Sequence, residues 1–128
     1  MCLQIGKEFK TKKEALEFIK NPKIAEKDIR VYKVLNETNL GVYYAFKYEK
    51  GFHYYQVGKK FSYLIRQSFY TNKWRITFHI GLHSCKSYNA AELHVTRRDK
   101  IVTMYIPKGS KYYEGIYNEL ISDQLVWY

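Results

Sequence analysis

Four histidines and one mid-chain cysteine are the residues most able to do chemistry: His53, His79, His83, His94 and Cys85. His79 and His83 are four apart, the spacing that sets two metal ligands on one face of a helix. Their neighbours are strand formers, however, and Gly81 stands between them. The two share a face only if one strand runs straight through. No Asp or Glu lies within several residues to complete a ligand set, so no metal is expected. Cys85 near His83 has the types of a thiol and its base, but catalytic Cys and His normally meet from distant segments. Cys85 reads instead as a small buried residue.

Other catalytic signatures fail in the same way. Hydrolysis of a glycosidic bond needs two carboxylates across a cleft, and the middle of the chain is almost without acids. No P-loop and no Gly-x-Gly-x-x-Gly occurs. No catalytic residue and no cofactor is therefore assigned.

What the chain has in quantity is segregated positive charge. Residues 58–111 hold eleven Lys or Arg against two acids, Glu92 and Asp99, within a chain of net charge +10. The last seventeen residues reverse this, with Glu114, Glu119 and Asp123 and no base. A cationic field on one part of a small domain attracts anionic partners. An arginine held in a strand is restricted enough to grip a phosphate with two parallel bonds. Tyr63, Tyr70, Trp74, Tyr88, Tyr112 and Tyr113 are interleaved with these cations and offer rings for stacking on bases, although most rings of a sheet protein serve its core. The ligand-binding residues expected are Arg66, Arg75, His83, Arg97, Lys108 and Tyr112.

The elements that must position them are mostly strands. At 128 residues the chain makes one domain, 1–128, with enough length to fold without staples. Aromatics make up 18% of it, a bias that favours pleated, half-buried surfaces. Thr11 and Glu14 have capping-box spacing ahead of an apolar stripe, Ala15, Leu16, Phe18 and Ile19, and Asn21-Pro22 stops the helix they begin. Strands are expected over Ile29 to Leu35 and Val42 to Tyr48 as a hairpin, then over Phe61 to Tyr70, Trp74 to Ile80, Ile101 to Ile106 and Leu125 to Tyr128. Gly51 to Gly58 is open between strand and loop. Gly81 to Ser87 is expected to leave the strand, and a second short helix follows near residues 88 to 95, capped by Ser87 or Asn89. Lys111 to Gly115 reads as a loop. The fold class expected is α+β, a mainly antiparallel β-sheet with two short helices.

Cys2 and Cys85 are too few for a disulfide framework, and no apolar run reaches signal-peptide or membrane-span length. The expectation is a cytoplasmic protein that does not engage a membrane, with self-association left open.

Two stretches resemble a pattern common in small proteins of phages and mobile elements. They are Ile80-Gly81-Leu82-His83 with Ser87 and Ala90-Ala91, and the run from Val102 to Gly115 with Ile121-Ser122-Asp123. Such families include the Thoeris anti-defence sponges, similar in size, strand content and basic character, which sequester nucleotide signals without cleaving them. This chain lacks the long C-terminal helices of those proteins, and no ligand residue is carried over. A second likeness, to the ADP-ribosyltransferase fold, rests on the His83 strand exit with Glu114 or Glu119. The cationic segment with its aromatic neighbours points to a non-enzymatic binder of a phosphate-bearing ligand, a nucleotide immune signal or nucleic acid; the resemblance implies a phage anti-defence role for it in the host cytoplasm. The alternatives are an inhibitor directed at an acidic host protein of a defence complex and an ADP-ribosyltransferase-like enzyme.

Overall fold

The computed structural model describes residues 3–4, 7–41, 47–55, 61–96, 98–115 and 118–128. In chain order the elements are β1 (Leu3–Gln4), α1 (Lys12–Lys20), β2 (Lys23–Ile24), β3 (Ile29–Leu35), β4 (Phe52–Tyr55), β5 (Ser62–Gln67) and β6 (Trp74–Ile80). They continue as β7 (Leu82–Cys85), α2 (Tyr88–Glu92), β8 (Lys100–Ile106), β9 (Lys111–Glu114), β10 (Glu119–Ser122) and β11 (Gln124–Trp127). Among the described residues the strands form an eight-stranded sheet, β2-β9-β10-β7-β3-β8-β11-β4, and a three-stranded sheet, β1-β6-β5. The named strand pairs are antiparallel, as the α+β expectation requires.

The large sheet is covered on both faces, and the alternation of side chains shows how. On β10, Leu120 joins one apolar cluster with Val31, Leu35, Leu82, Met104, Ile106 and Leu125. Its neighbour Ile121 points the other way, into a second cluster with Phe9, Ala15, Ile76, Phe78 and Tyr113, where α1 and the small sheet pack. A third cluster, Val34, Cys85, Ala90 and Ala91, lies under α2. β3 is therefore apolar at successive positions from Val34 to Leu35, as a strand buried on both sides must be.

The helices begin where their caps dictate. The Thr11 hydroxyl accepts from the Glu14 N–H at 3.2 Å, and the Lys10 N–H donates to Glu14 Oε2 at 3.2 Å. Asn21 ends α1 with its N–H on the Phe18 carbonyl. Ser87, not Asn89, caps α2, accepting from the Ala90 N–H at 3.1 Å. This helix ends at Glu92 rather than near 95.

Several local expectations change or are resolved. The chain at Gly81 leaves the small sheet but not the extended conformation: residues 82–85 are β7, hydrogen-bonded between β10 and β3. Gly81 has φ +150°, and a Cβ there would overlap Ile121 Cγ1 and Cδ1, so the switch between sheets needs glycine. Lys111–Glu114 is a strand, paired on both sides by β2 and β10. The strand expected to run to Tyr70 stops at Gln67, and residues 68–73 form the hairpin tip. The aromatic run of Phe52–Tyr55 resolves as β4, paired with β11. In the expected Ile29 to Tyr48 hairpin, β3 forms its ladders with β7 and β8, and Leu35 bridges Gly41. Residues 42–46 lie outside the described ones.

Candidate anion-binding face

β5 and β6 pair with Leu64 opposite Thr77, Ile65 opposite Ile76 and Arg66 opposite Arg75. Because side chains alternate, Ile65, Ile76 and Phe78 turn inward to the cluster beneath, while Leu64, Arg66, Arg75 and Thr77 share the outward face. Lys73, two residues before Arg75, belongs to the same outward set. Arg66, Lys73 and Arg75 are all exposed.

Like charges directly opposite on a strand pair destabilise the sheet. The compensation on this face is partial. Glu8, on the segment that bridges to β6 through Phe9 and Trp74, accepts from Arg75 Nη2 at 2.7 Å and pairs with Lys73 Nζ at 3.3 Å. Those two bonds, Arg75 first, hold the Glu8 carboxyl below the usual carboxylate range. Among the described residues Arg66 forms no ion pair. Three cations against one acid leave the face cationic, and Arg66 carries a guanidinium with its fork of donors in solvent.

The remaining expected residues lie elsewhere. Lys108 sits in the turn after β8, its backbone N–H donated to Asp28 Oδ1 at 2.9 Å. Tyr112 is half-buried on β9 and lines an open concavity of about 470 Å³ with Lys23, Ile24, Glu26, Lys27 and Ile29. Cations and acids are mixed there, so the concavity has no single sign. Arg97 lies outside the described residues. His83 is buried on β7, and burial first, with the Lys33 charge second, pushes its imidazole down to about 4. It is neutral at physiological pH and gives no cationic charge to a phosphate.

His83 instead belongs to a polar cluster that the sequence did not announce. Lys33 is 8% exposed on β3; its Nζ donates to the His83 carbonyl and lies 4.9 Å from the centre of the Tyr48 ring. Burial lowers its ammonium to about 8. Burial also pushes the Cys85 thiol up to about 11, which removes it as a nucleophile near neutrality. His94 and Glu119 pair at 2.9 Å on the rim. The cavity these residues line holds about 20 Å³, the room of one water and not of a substrate. Ser84, which also lines it, has a buried hydroxyl with no hydrogen-bond partner among the described residues, a group that one water in such a space would satisfy. The late acids are also engaged: Glu114 pairs with Lys86 at 3.2 Å and with Lys23 at 3.4 Å. Burial raises the Glu114 carboxyl, but the two lysines outweigh it and hold it below the usual range. Among the described residues no group of three or more His, Cys, Asp or Glu is placed to hold a metal, and no helix is long and apolar enough to cross a membrane.

No protein-family model, curated protein or solved structure matches the chain. The site stands on its own geometry.

Proposed function

We propose that the protein is a non-enzymatic binder of a phosphate-bearing ligand, held on the outward face of β5 and β6. The observation that carries this is the cross-strand register of Arg66 and Arg75, two arginines opposite each other on one outward face whose single carboxylate, Glu8, pairs with Arg75 and Lys73 and not with Arg66. An anion with two or more phosphates relieves their repulsion and takes bidentate bonds from both. Small-molecule sites are concave, whereas this face is an open sheet with a backbone-like row of cations. That shape favours a polymer of phosphodiesters, nucleic acid, over a free nucleotide signal. A counter-defence role would be the use to which such binding is put and rests on the sequence likeness alone.

The test is equilibrium binding to a labelled oligonucleotide, to inorganic polyphosphate and to ADP-ribose at low and moderate salt. The expected result is binding of the two polyanions that weakens as salt rises. Stoichiometric, salt-resistant capture of the small nucleotide would favour a sponge instead, and no binding to any of the three would refute the reading.

A further inference from the structure

The β5–β6 hairpin ends in two aromatic rings that the fold does not use. Phe69 and Tyr70 are 91% and 93% exposed. Their centroids are 5.6 Å apart and their planes stand at 89°, an edge-to-face pair. Each ring keeps a face open to solvent.

The turn that carries them is tightly built. The Ser68 N–H donates to the Lys73 carbonyl at 2.7 Å and the Asn72 N–H to the Ser68 carbonyl at 3.0 Å. Gln67 Nε2 donates to the Asn72 carbonyl at 3.0 Å. Asn72, at φ 56°, supplies the left-handed residue that a glycine would otherwise provide. Turn formation is thus handled by Ser68, Asn72 and Lys73, and nothing in it calls for two rings. Left in water, they forgo the stabilisation that burial gives an aromatic side chain. Adjacent large apolar groups on a protruding tip are the mark of a contact surface.

What the tip contacts is argued from its surroundings. It closes the hairpin whose strands carry Arg66 and Arg75 and whose turn ends at Lys73, so the rings stand within a few residues of those cations. Cations that track a phosphate backbone, beside rings that stack on bases, are the two components of single-strand binding. A duplex keeps its bases stacked on one another and offers such rings nothing but backbone. We propose that Phe69 and Tyr70 stack on unpaired bases, so that the ligand of the Arg66–Arg75 face is a single-stranded nucleic acid. This rests on the phosphate-binding reading above.

The experiment compares four fluorescently labelled strands by anisotropy: an oligothymidylate about ten nucleotides long, its ribo-uridylate counterpart, an abasic strand of equal length, and a duplex. The abasic strand keeps the phosphates and removes the stacking partners. One or both of the base-bearing single strands should bind about tenfold or more tighter than the abasic strand and the duplex, and the tighter of the two names the natural source. Phe69→Ser/Tyr70→Ser should erase that advantage while leaving the salt dependence unchanged, and an unaltered melting curve should show that it still folds. Equal binding of all four strands, untouched by the tip substitution, overturns the stacking inference but spares the phosphate reading. Binding to none of them overturns both and leaves the tip to a protein partner.

Discussion

Arg66 and Arg75 stand opposite each other across the β5–β6 ladder, and the carboxylate that answers them, Glu8, is bonded to Arg75. The arrangement is electrostatically incomplete from within the chain. Strand pairing places the two cations, but it does not neutralise them, and this incompleteness is what an anionic ligand would resolve.

Glu8 should consequently act as an internal competitor. Glu8→Gln removes the one acid of the face and frees Arg75 and Lys73 from their ion pairs. Oligonucleotide affinity should rise by about three- to tenfold at low salt, and the gain should shrink as salt screens the charges. Titration of both proteins at two salt concentrations checks this. Because Glu8 is held below the usual carboxylate range by its cationic partners, wild-type affinity for a phosphodiester should be nearly flat between about pH 6 and pH 8.

Much of the scaffold was legible in the chain, and the reasons are local. Thr11 with Glu14 announces the first helix because caps act over three residues; the second was legible too, with its cap left between Ser87 and Asn89 until the Ser87 hydroxyl was found on the Ala90 N–H. Ile101 to Ile106 announces β8 because it is bounded by a turn and rich in branched and aromatic residues. The register of Arg66 with Arg75 was not legible, since it depends on where the hairpin turns. The turn moved because Asn72 takes a left-handed conformation that the sequence does not mark as glycine would. Phe69, read as strand, became tip for the same reason. Lys33 was hidden by its setting: a lysine between Tyr32 and Val34 looks like an outward residue of an alternating strand, and only coverage of both sheet faces buries it. His83 and Lys108, chosen for their charge types, are respectively neutral and away from the arginine pair.

Lys33 should weaken the fold near neutral pH. Its ammonium falls from 10.5 to about 8 on folding because burial penalises the charged form, which is worth about 3 kcal/mol when the group is charged in both states. The penalty is complete below about pH 8 and disappears as pH rises to 10.5, because over that window the unfolded chain binds the proton and the folded one does not. Lys33→Met loses the bond to the His83 carbonyl but removes the penalty, and should raise stability at pH 7 by about 1–2 kcal/mol. The gap between the variant and wild type, measured by chemical denaturation, should narrow or reverse between pH 8 and pH 10.5. A gap independent of pH would contradict the buried charge.

His83 should impose acid sensitivity. Its imidazole drops from 6.5 to about 4, burial being the main cause. Between those values the unfolded chain takes up a proton that the folded chain refuses, so stability should fall as pH is lowered from 6.5 to about 4, by up to about 3 kcal/mol. Denaturation midpoints of His83→Gln should lack that slope.

Gly81 should tolerate no side chain. Gly81→Ala forces a residue with a Cβ to φ +150° and drives that Cβ onto Ile121, at a cost of about 2–4 kcal/mol. Thermal melting checks the loss. Pairing it with Ile121→Val, which removes Cδ1 but keeps Cγ1, should not restore the wild-type midpoint, because Cγ1 still meets the new Cβ and the backbone conformation remains strained.

The central claim, that two facing arginines receive phosphates, is tested most directly by the salt dependence of oligonucleotide binding in Arg66→Gln/Arg75→Gln beside wild type. Loss of two contacts to a single strand should lower affinity and flatten the slope of log K against log salt by about 1.4. An unchanged affinity and an unchanged slope would contradict the account.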